Sequence, residues 1–244
     1  MSFYKESDAF GAHSNIDSKA LVIFSGGQDS TTCLFWAKKK FKQVWALTFD
    51  YGQRHRIELE CAARICQEFE VPQRVVSMDF LAQLSPNALT DASVEVSATG
   101  GYQNLPSTFV PGRNILFLTL AAAYAVPLGI KDLVIGVCQT DFSGYPDCRE
   151  AFVVSMEEAL RAGLDTPALK IHRPLMELTK AQTFALAREV GGLEVVVEQS
   201  HTCYEGDRVH RHAWGYGCNH CPACELRRKG FEEFLKTNSN LGSI

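Results

Sequence analysis

The stretch Leu21-Val22-Ile23-Phe24-Ser25-Gly26-Gly27-Gln28-Asp29-Ser30-Thr31-Thr32-Cys33-Leu34 constrains this chain more than any other. An apolar run of strand length stops at Ser25, two glycines follow, and a polar segment then opens into Cys33-Leu34-Phe35-Trp36. That order reads as strand, tight turn and helix. Adjacent glycines permit positive φ and carry no Cβ, so backbone N–H groups can converge on one point. A helix starting there, capped by Asp29 or Ser30, turns its positive end to the same point. The residues build a site for an anion, most simply a phosphate.

Two common phosphate motifs are excluded. No Lys-Ser/Thr pair follows Gly27, and the glycines are adjacent rather than spaced as G-x-G-x-x-G. Ser25-Gly-Gly-Gln-Asp-Ser30 after an N-terminal strand resembles instead the pyrophosphate loop of the ATP pyrophosphatase superfamily. The resemblance implies that Phe24, Ser25, Gly26, Gly27, Gln28, Asp29, Ser30, Thr31, Thr32, Cys33 and Leu34 form the nucleotide-binding stretch. The loop would grip the β- and γ-phosphates of ATP, leaving the α-phosphate to be attacked by an acceptor oxygen. A plain Ser/Gly turn is the bland alternative.

With 244 residues, 46% of them hydrophobic and 21% charged, the chain can build one α/β domain with a full core and a small appendage. No apolar run is long enough to span a membrane. Residues 1–19 are polar, without the apolar stretch of a secretory signal, and are expected to form a flexible tail. The expected compartment is the reducing cytoplasm, where nine cysteines are better explained as thiols and metal ligands than as a disulfide framework. A net charge of −4 argues against a protein whose main task is gripping nucleic acid.

Further strands are predicted over 44–50, 74–78, 133–137 and near 169–171. Between them, Ile57, Cys61, Ile65 and Phe69 mark one helical face, Asn114 to Val126 is apolar nearly all round, and Phe152, Met156 and Leu160 mark another face. Thr179 caps a helix that begins at Lys180 and stops at Gly191-Gly192. Residues 81–108 lose periodicity and read as a long loop or insertion. Regular alternation of this kind predicts a doubly wound parallel sheet, with ligands beyond the carboxyl ends of its strands. The polar clusters 25–30, 50–55 and 139–149 all fall at such ends.

Cys203, Cys218, Cys221 and Cys224 form C-x14-C-x2-C-x2-C. Four thiolates suit one tetrahedral zinc ion with no open position, hence a structural role. An iron–sulfur cluster is the competing reading, but the fourth cysteine lies upstream and the closing Cys-Pro is missing. His201, His210, His212 and His220 lie close enough to substitute for a ligand. Among the other thiols, Cys138 and Cys148 flank a polar loop, where a reactive thiol stays open.

Three further positions carry possible chemistry. Arg113 precedes the apolar helix and could pair a carboxylate or phosphate, or be a surface residue beside an Asn cap. The segment 136–149 offers carboxylates, amides and two aromatic rings, the parts needed to hold a flat heteroaromatic ring. Lys180 sits at a helix start, against the dipole, which hints at a function.

Taken together, residues 24–34, 48–55, 108–118, 136–149, Pro174-Leu175-Met176 and the four cysteines resemble the 7-cyano-7-deazaguanine synthase family of queuosine biosynthesis. The departures are the tail and a somewhat longer loop over 205–216. The resemblance implies an adenine nucleotide alpha hydrolase-like α/β fold over 20–200 with a small helical zinc appendage over 201–244. It implies that 7-carboxy-7-deazaguanine, ammonia and ATP are converted to the nitrile through adenylated carboxylate and amide intermediates. It further implies Asp29, Arg113 and Lys180 as catalytic residues, Gln139, Asp141, Tyr145 and Asp147 as substrate contacts, one structural Zn²⁺, and Mg²⁺ with the ATP. Neither nucleic acid nor membrane is an expected partner, and a homodimer is expected. A tRNA sulfur-transfer enzyme, another ATP-dependent amidating ligase and a non-catalytic zinc module are the rival readings.

Overall fold

The computed structural model describes residues 18–53, 56–84, 87–90, 93–94, 97, 101–140 and 144–238. The expectations for the tail and for Asp141 lie outside them.

Five parallel strands, β1 (Lys19–Ile23), β2 (Gln43–Asp50), β3 (Gln73–Ser77), β4 (Asp132–Val134) and β5 (Lys170–His172), form one sheet in the order β3-β2-β1-β4-β5. Register runs Val22 to Ala46 on one side of β1 and Val22 to Val134 on the other. The chain builds outward from β1 through β2 to β3, then crosses to the far side of β1 for β4 and β5. The switch point falls between β1 and β4, where a doubly wound sheet opens its ligand crevice.

β1 is continuously apolar because both of its faces are covered. Leu21 and Ile23 pack with Leu118, Ala121 and Ala122 of α4 (Arg113–Ala125) and with Val153 and Leu160 of α5 (Glu150–Gly163). Ala20, Val22 and Phe24 pack on the other face, with Cys33, Leu34 and Ala37 of α1 (Gln28–Lys40) and with Ala62 and Ile65 of α2 (Ile57–Glu68). Each fully buried aliphatic side chain contributes roughly 1.5–3 kcal/mol.

The stretch 81–108 is not all loop, since α3 (Asp79–Leu84) enters it with Leu81 in the core. α4, apolar nearly all round, is buried on several of its sides and leaves Ile115, Thr119 and Ala123 exposed along one stripe.

α6 (Lys180–Glu189) follows the Thr179–Gln182 capping box. It has two apolar faces: Leu186 joins the core under α1, whereas Ala181, Phe184 and Ala187 join a third core. That core also takes Val196 from α7 (Leu193–Glu198), Trp214 beside the short hairpin of β6 (Arg211–His212) and β7 (Gly215–Tyr216), and Phe231 and Phe234 of α8 (Pro222–Thr237). This hairpin lies within the stretch 205–216, between the first two cysteines.

Candidate active site

A cavity of about 340 Å³ opens at the carboxyl ends of β1 and β4. Its floor is the glycine turn. Gly26 adopts φ +82°, and a Cβ there would meet the Glu58 carbonyl oxygen at 2.5 Å and the Ala62 nitrogen at 2.7 Å. Only glycine fits that approach of loop to α2. The turn is braced by Ser30, whose Oγ accepts from the Ser25 N–H at 3.2 Å and donates to the Gly27 carbonyl at 3.2 Å.

α1 starts from Gly27 with no side-chain cap, so neither Asp29 nor Ser30 caps it. The amide groups of the first turn have no intrahelical acceptor and supply the anion-binding end. Phe24, Ser25, Gly27, Gln28, Asp29 and Ser30 line the cavity. Thr31, Thr32, Cys33 and Leu34 do not; they are buried along α1, and burial, with the Asp29 charge, pushes the Cys33 thiol well up. An inert core thiol is the physical result.

Lys180 and Asp29, 151 residues apart, meet with Nζ to Oδ2 at 2.6 Å. Their side chains are 10% and 28% exposed. Asp29 Oδ1 is buried without a hydrogen-bond partner among the described residues. The lysine's place against the helix dipole is explained by α8, which presses on its stem: a Cβ on Gly230 would meet Lys180 Cβ at 2.5 Å. Packing thus aims the ammonium across the loop.

The opposite wall carries Arg113, the first residue of α4, with its guanidinium 5.9 Å from the centre of the Tyr51 ring. Burial lowers its pKa, but the neighbouring Tyr51, Asp147 and Tyr145 more than offset that, and the guanidinium stays charged. Asp147 is buried behind it, accepting the Asn114 N–H at 3.4 Å, while Asn114 Nδ2 donates to the Asp147 carbonyl at 3.1 Å. Tyr145 lines the cavity, stacks on Phe109 at 5.6 Å and shares a short hydrogen bond with Thr108. Gln139 lies outside this lining. Its amide is taken at both ends, donating to Glu177 at 2.5 Å and accepting the Glu150 N–H at 3.1 Å. Cys138 is likewise engaged, with the Leu178 carbonyl at 3.0 Å.

The structure adds cavity residues that sequence reasoning missed, among them Glu58, Phe117, Thr202 and Tyr204. Burial drives the Glu58 carboxyl up to about 7, against the pull of Arg113. Thr202 and Tyr204 flank Cys203, a neighbour in sequence that could have pointed to them.

The four cysteine sulfurs lie within 4.8 Å of one another, with Cys218 and Cys224 at 3.9 Å. A tetrahedral zinc with Zn–S near 2.3 Å needs sulfurs about 3.8 Å apart, so the set fits one ion. The Cys218 and Cys221 N–H groups point at the sulfurs of Cys203 and Cys218, at 3.5 and 3.3 Å. The nearby histidines are not needed: His210 is held by Asp207 at 2.6 Å and His212 by the Gly217 carbonyl at 2.9 Å. His220 pairs with Glu205 at 2.9 Å, and His201 is wholly buried, its backbone N–H on the Gly26 carbonyl at 3.0 Å and its ring nitrogens without a partner among the described residues.

The cysteine region is tied to the loop. Thr202 Oγ1 faces the Gln28 N–H at 3.5 Å and accepts from Arg227 Nη1 at 3.0 Å. Arg227 is 0% exposed, and donates also to the carbonyls of Trp214 and Val196 at 2.9 and 2.6 Å. Burial lowers its pKa to about 10, still far above neutrality.

Comparison with known proteins adds to this geometry. The family model described as "Queuosine biosynthesis protein QueC" matches residues 19–235. The chain belongs to that family. Curated members named 7-cyano-7-deazaguanine synthase include one from Wolinella succinogenes, 52% identical over 89% of this chain and 94% of that one. Another, from Helicobacter pylori, is 50% identical over 88% and 94%, and one from Lysinibacillus sphaericus is 52% identical over 89% and 95%. A solved 4-thiouridine synthetase in complex with RNA and ATP shares the fold, with a TM-score of 0.50 and 16% identity over 91% of this chain and 53% of that chain. This QueC-family chain therefore shares a parallel α/β fold with that synthetase.

Proposed function

We propose that this QueC-family chain condenses 7-carboxy-7-deazaguanine with ammonia to give 7-cyano-7-deazaguanine, using ATP for both dehydrations. The observation that carries the reading is the convergence on one cavity of the Ser25–Ser30 loop, the Lys180–Asp29 pair and Arg113. A carboxylate is a poor electrophile, and its adenylation requires two anions to be held together. The loop amides take the β- and γ-phosphates, Lys180 stabilises charge where pyrophosphate departs, and Arg113 takes the substrate carboxylate through its planar fork.

Asp147 serves by holding Arg113 and α4 in place, and Tyr145 supplies the aromatic wall for the deazapurine ring. No ring contact is assigned to Gln139. The orphaned Asp29 Oδ1 is the acceptor suited to the Mg²⁺ that accompanies ATP and neutralises phosphate charge. The Cys203, Cys218, Cys221 and Cys224 set would hold one structural Zn²⁺. In this reading residues 20–200 are the nucleotide-binding unit, 201–244 the zinc unit and 1–19 a tail. The reducing cytoplasm is the compartment, in keeping with nine cysteines of which none is in a disulfide, and no described helix is long and apolar enough to cross a membrane.

Mass spectrometry of a reaction holding the protein, 7-carboxy-7-deazaguanine, ammonium and Mg-ATP tests the reading. Nitrile with AMP is the expected outcome. ATP consumption only with tRNA or with another acid would transfer the chain to one of its rivals.

A homodimer is part of the same proposal. Ile115, 45% exposed, continues along α4 through Thr119 and Ala123, and Leu128 beyond the helix is 42% exposed, an apolar surface that a second copy could cover. Light scattering should give the mass of two chains, falling to one in Ile115→Glu; a monomeric wild type would remove the dimer.

A further inference from the structure

One group in the cavity contradicts the cavity's purpose. A site built to hold triphosphate and a substrate carboxylate should exclude other anions, yet Glu58 lines it. Its side chain makes no hydrogen bond and no ion pair with Arg113 or any other described residue, so it is not a structural carboxylate held by a cation. Its own carbonyl packs against Gly26, which sets it at the seam between the phosphate loop and the Arg113 wall. The titratable groups that sense it are Arg113 from α4, Tyr51 after β2, Tyr204 from the cysteine region and Cys61 on its own helix.

We propose that Glu58 is the catalytic proton acceptor for the nitrogen that becomes the nitrile. This rests on the reaction assigned above, whose balance requires such a group. In the first half, the ammonia lone pair forms the C–N bond, the C–O bond to AMP breaks with its electron pair, and one N–H proton must leave to give the amide. In the second half, the amide oxygen attacks the α-phosphorus and pyrophosphate leaves. Both remaining N–H protons are then lost as AMP departs and C≡N forms. Three protons leave one nitrogen, and Glu58 passes each to solvent before accepting the next. Among the other described cavity groups, Arg113 and Lys180 are cations, Asp29 is committed to Lys180, and the His201 ring, although unpartnered, is wholly buried from the solvent that must take the protons. A carboxyl that titrates near neutrality is matched to repeated uptake and release.

The test is Glu58→Gln in the full chain, with Glu58→Asp as a second variant that keeps the acid. Acid-dependent exchange of pyrophosphate into ATP reads the first adenylation, which sheds no N–H proton, and mass spectrometry reads amide and nitrile. Exchange in Glu58→Gln should stay within about twofold of wild type while amide and nitrile formation fall about 10²–10⁴-fold, with partial return in Glu58→Asp. The wild-type rate should rise with pH through about 7, as the carboxylate forms, and that limb should vanish in Glu58→Gln. Nitrile formation near the wild-type rate would overturn the proposal, as would exchange falling in step with it, which would make Glu58 a binding group. If the wild type aminates a different acid, the substrate reading fails, and the same comparison on that acid still decides for or against Glu58.

Discussion

Asp29→Asn is expected to lower kcat for nitrile formation about 10²–10³-fold with the fold intact, and Lys180→Met to weaken ATP binding at least tenfold besides, a difference of about 1.4 kcal/mol. The two substitutions break one 2.6 Å contact but leave opposite remainders. Without its carboxylate charge, the loop loses the acceptor suited to a divalent cation, while the Lys180 ammonium remains to meet phosphate. Without the ammonium, the Asp29 anion faces the triphosphate unpaired, so repulsion adds to the lost attraction. Both side chains are partly exposed, so breaking the pair costs the fold only about 1–2 kcal/mol. Calorimetric ATP binding beside single-turnover kinetics separates the effects. Near-normal turnover in Asp29→Asn would remove Asp29 from the mechanism, and unchanged ATP affinity in Lys180→Met would do the same for the lysine's phosphate role.

Cys221→Ser should abolish the zinc binding proposed for the cysteine set and, with it, the grip on ATP. A structural zinc site contributes about 10–16 kcal/mol of apparent binding free energy in small zinc-finger peptides, and here the ligands knit together segments that otherwise share a small third core. α8 carries Cys224, the buried Arg227 and the Gly230 face that aims Lys180. Releasing it should free Thr202 from Arg227 and blur the loop that rests on the 201–202 segment. The expected result is less than one metal ion per chain, a lowered Tm and loss of ATP binding. A variant that bound no metal yet held ATP as tightly as wild type would show the cysteine region to be independent of the site.

These two expectations differ in how they could have been reached. Asp29 and the four cysteines stand out in the linear chain because local demands mark them: a strand must end, a backbone must turn without a Cβ, and two-residue gaps must bring thiolates to one ion. Arg113 and Lys180 were visible as charged residues at helix starts, but not what they face. Gln139 has the right chemistry for a ring contact and is spent within its own loop and on Glu177. Asp147 has it too, and is buried against Asn114. Thr31 through Leu34 continue the motif in sequence, and helical geometry turns them from the cavity into the core.

Strand and helix order, the parallel doubly wound sheet, the phosphate loop and the cysteine set were determined by the sequence alone, because periodicity, glycine placement and ligand spacing act over a few residues. Tertiary structure decided which of the polar residues share a cavity. The joining of Asp29 to Lys180 and of Gln28 to Thr202 depends on α1, α6 and the cysteine region meeting on one face of the sheet, and that of Glu58 to the wall of Arg113 on α2 and α4 packing on opposite faces. Such contacts leave no periodic trace in the chain, since each is set by where two surfaces meet.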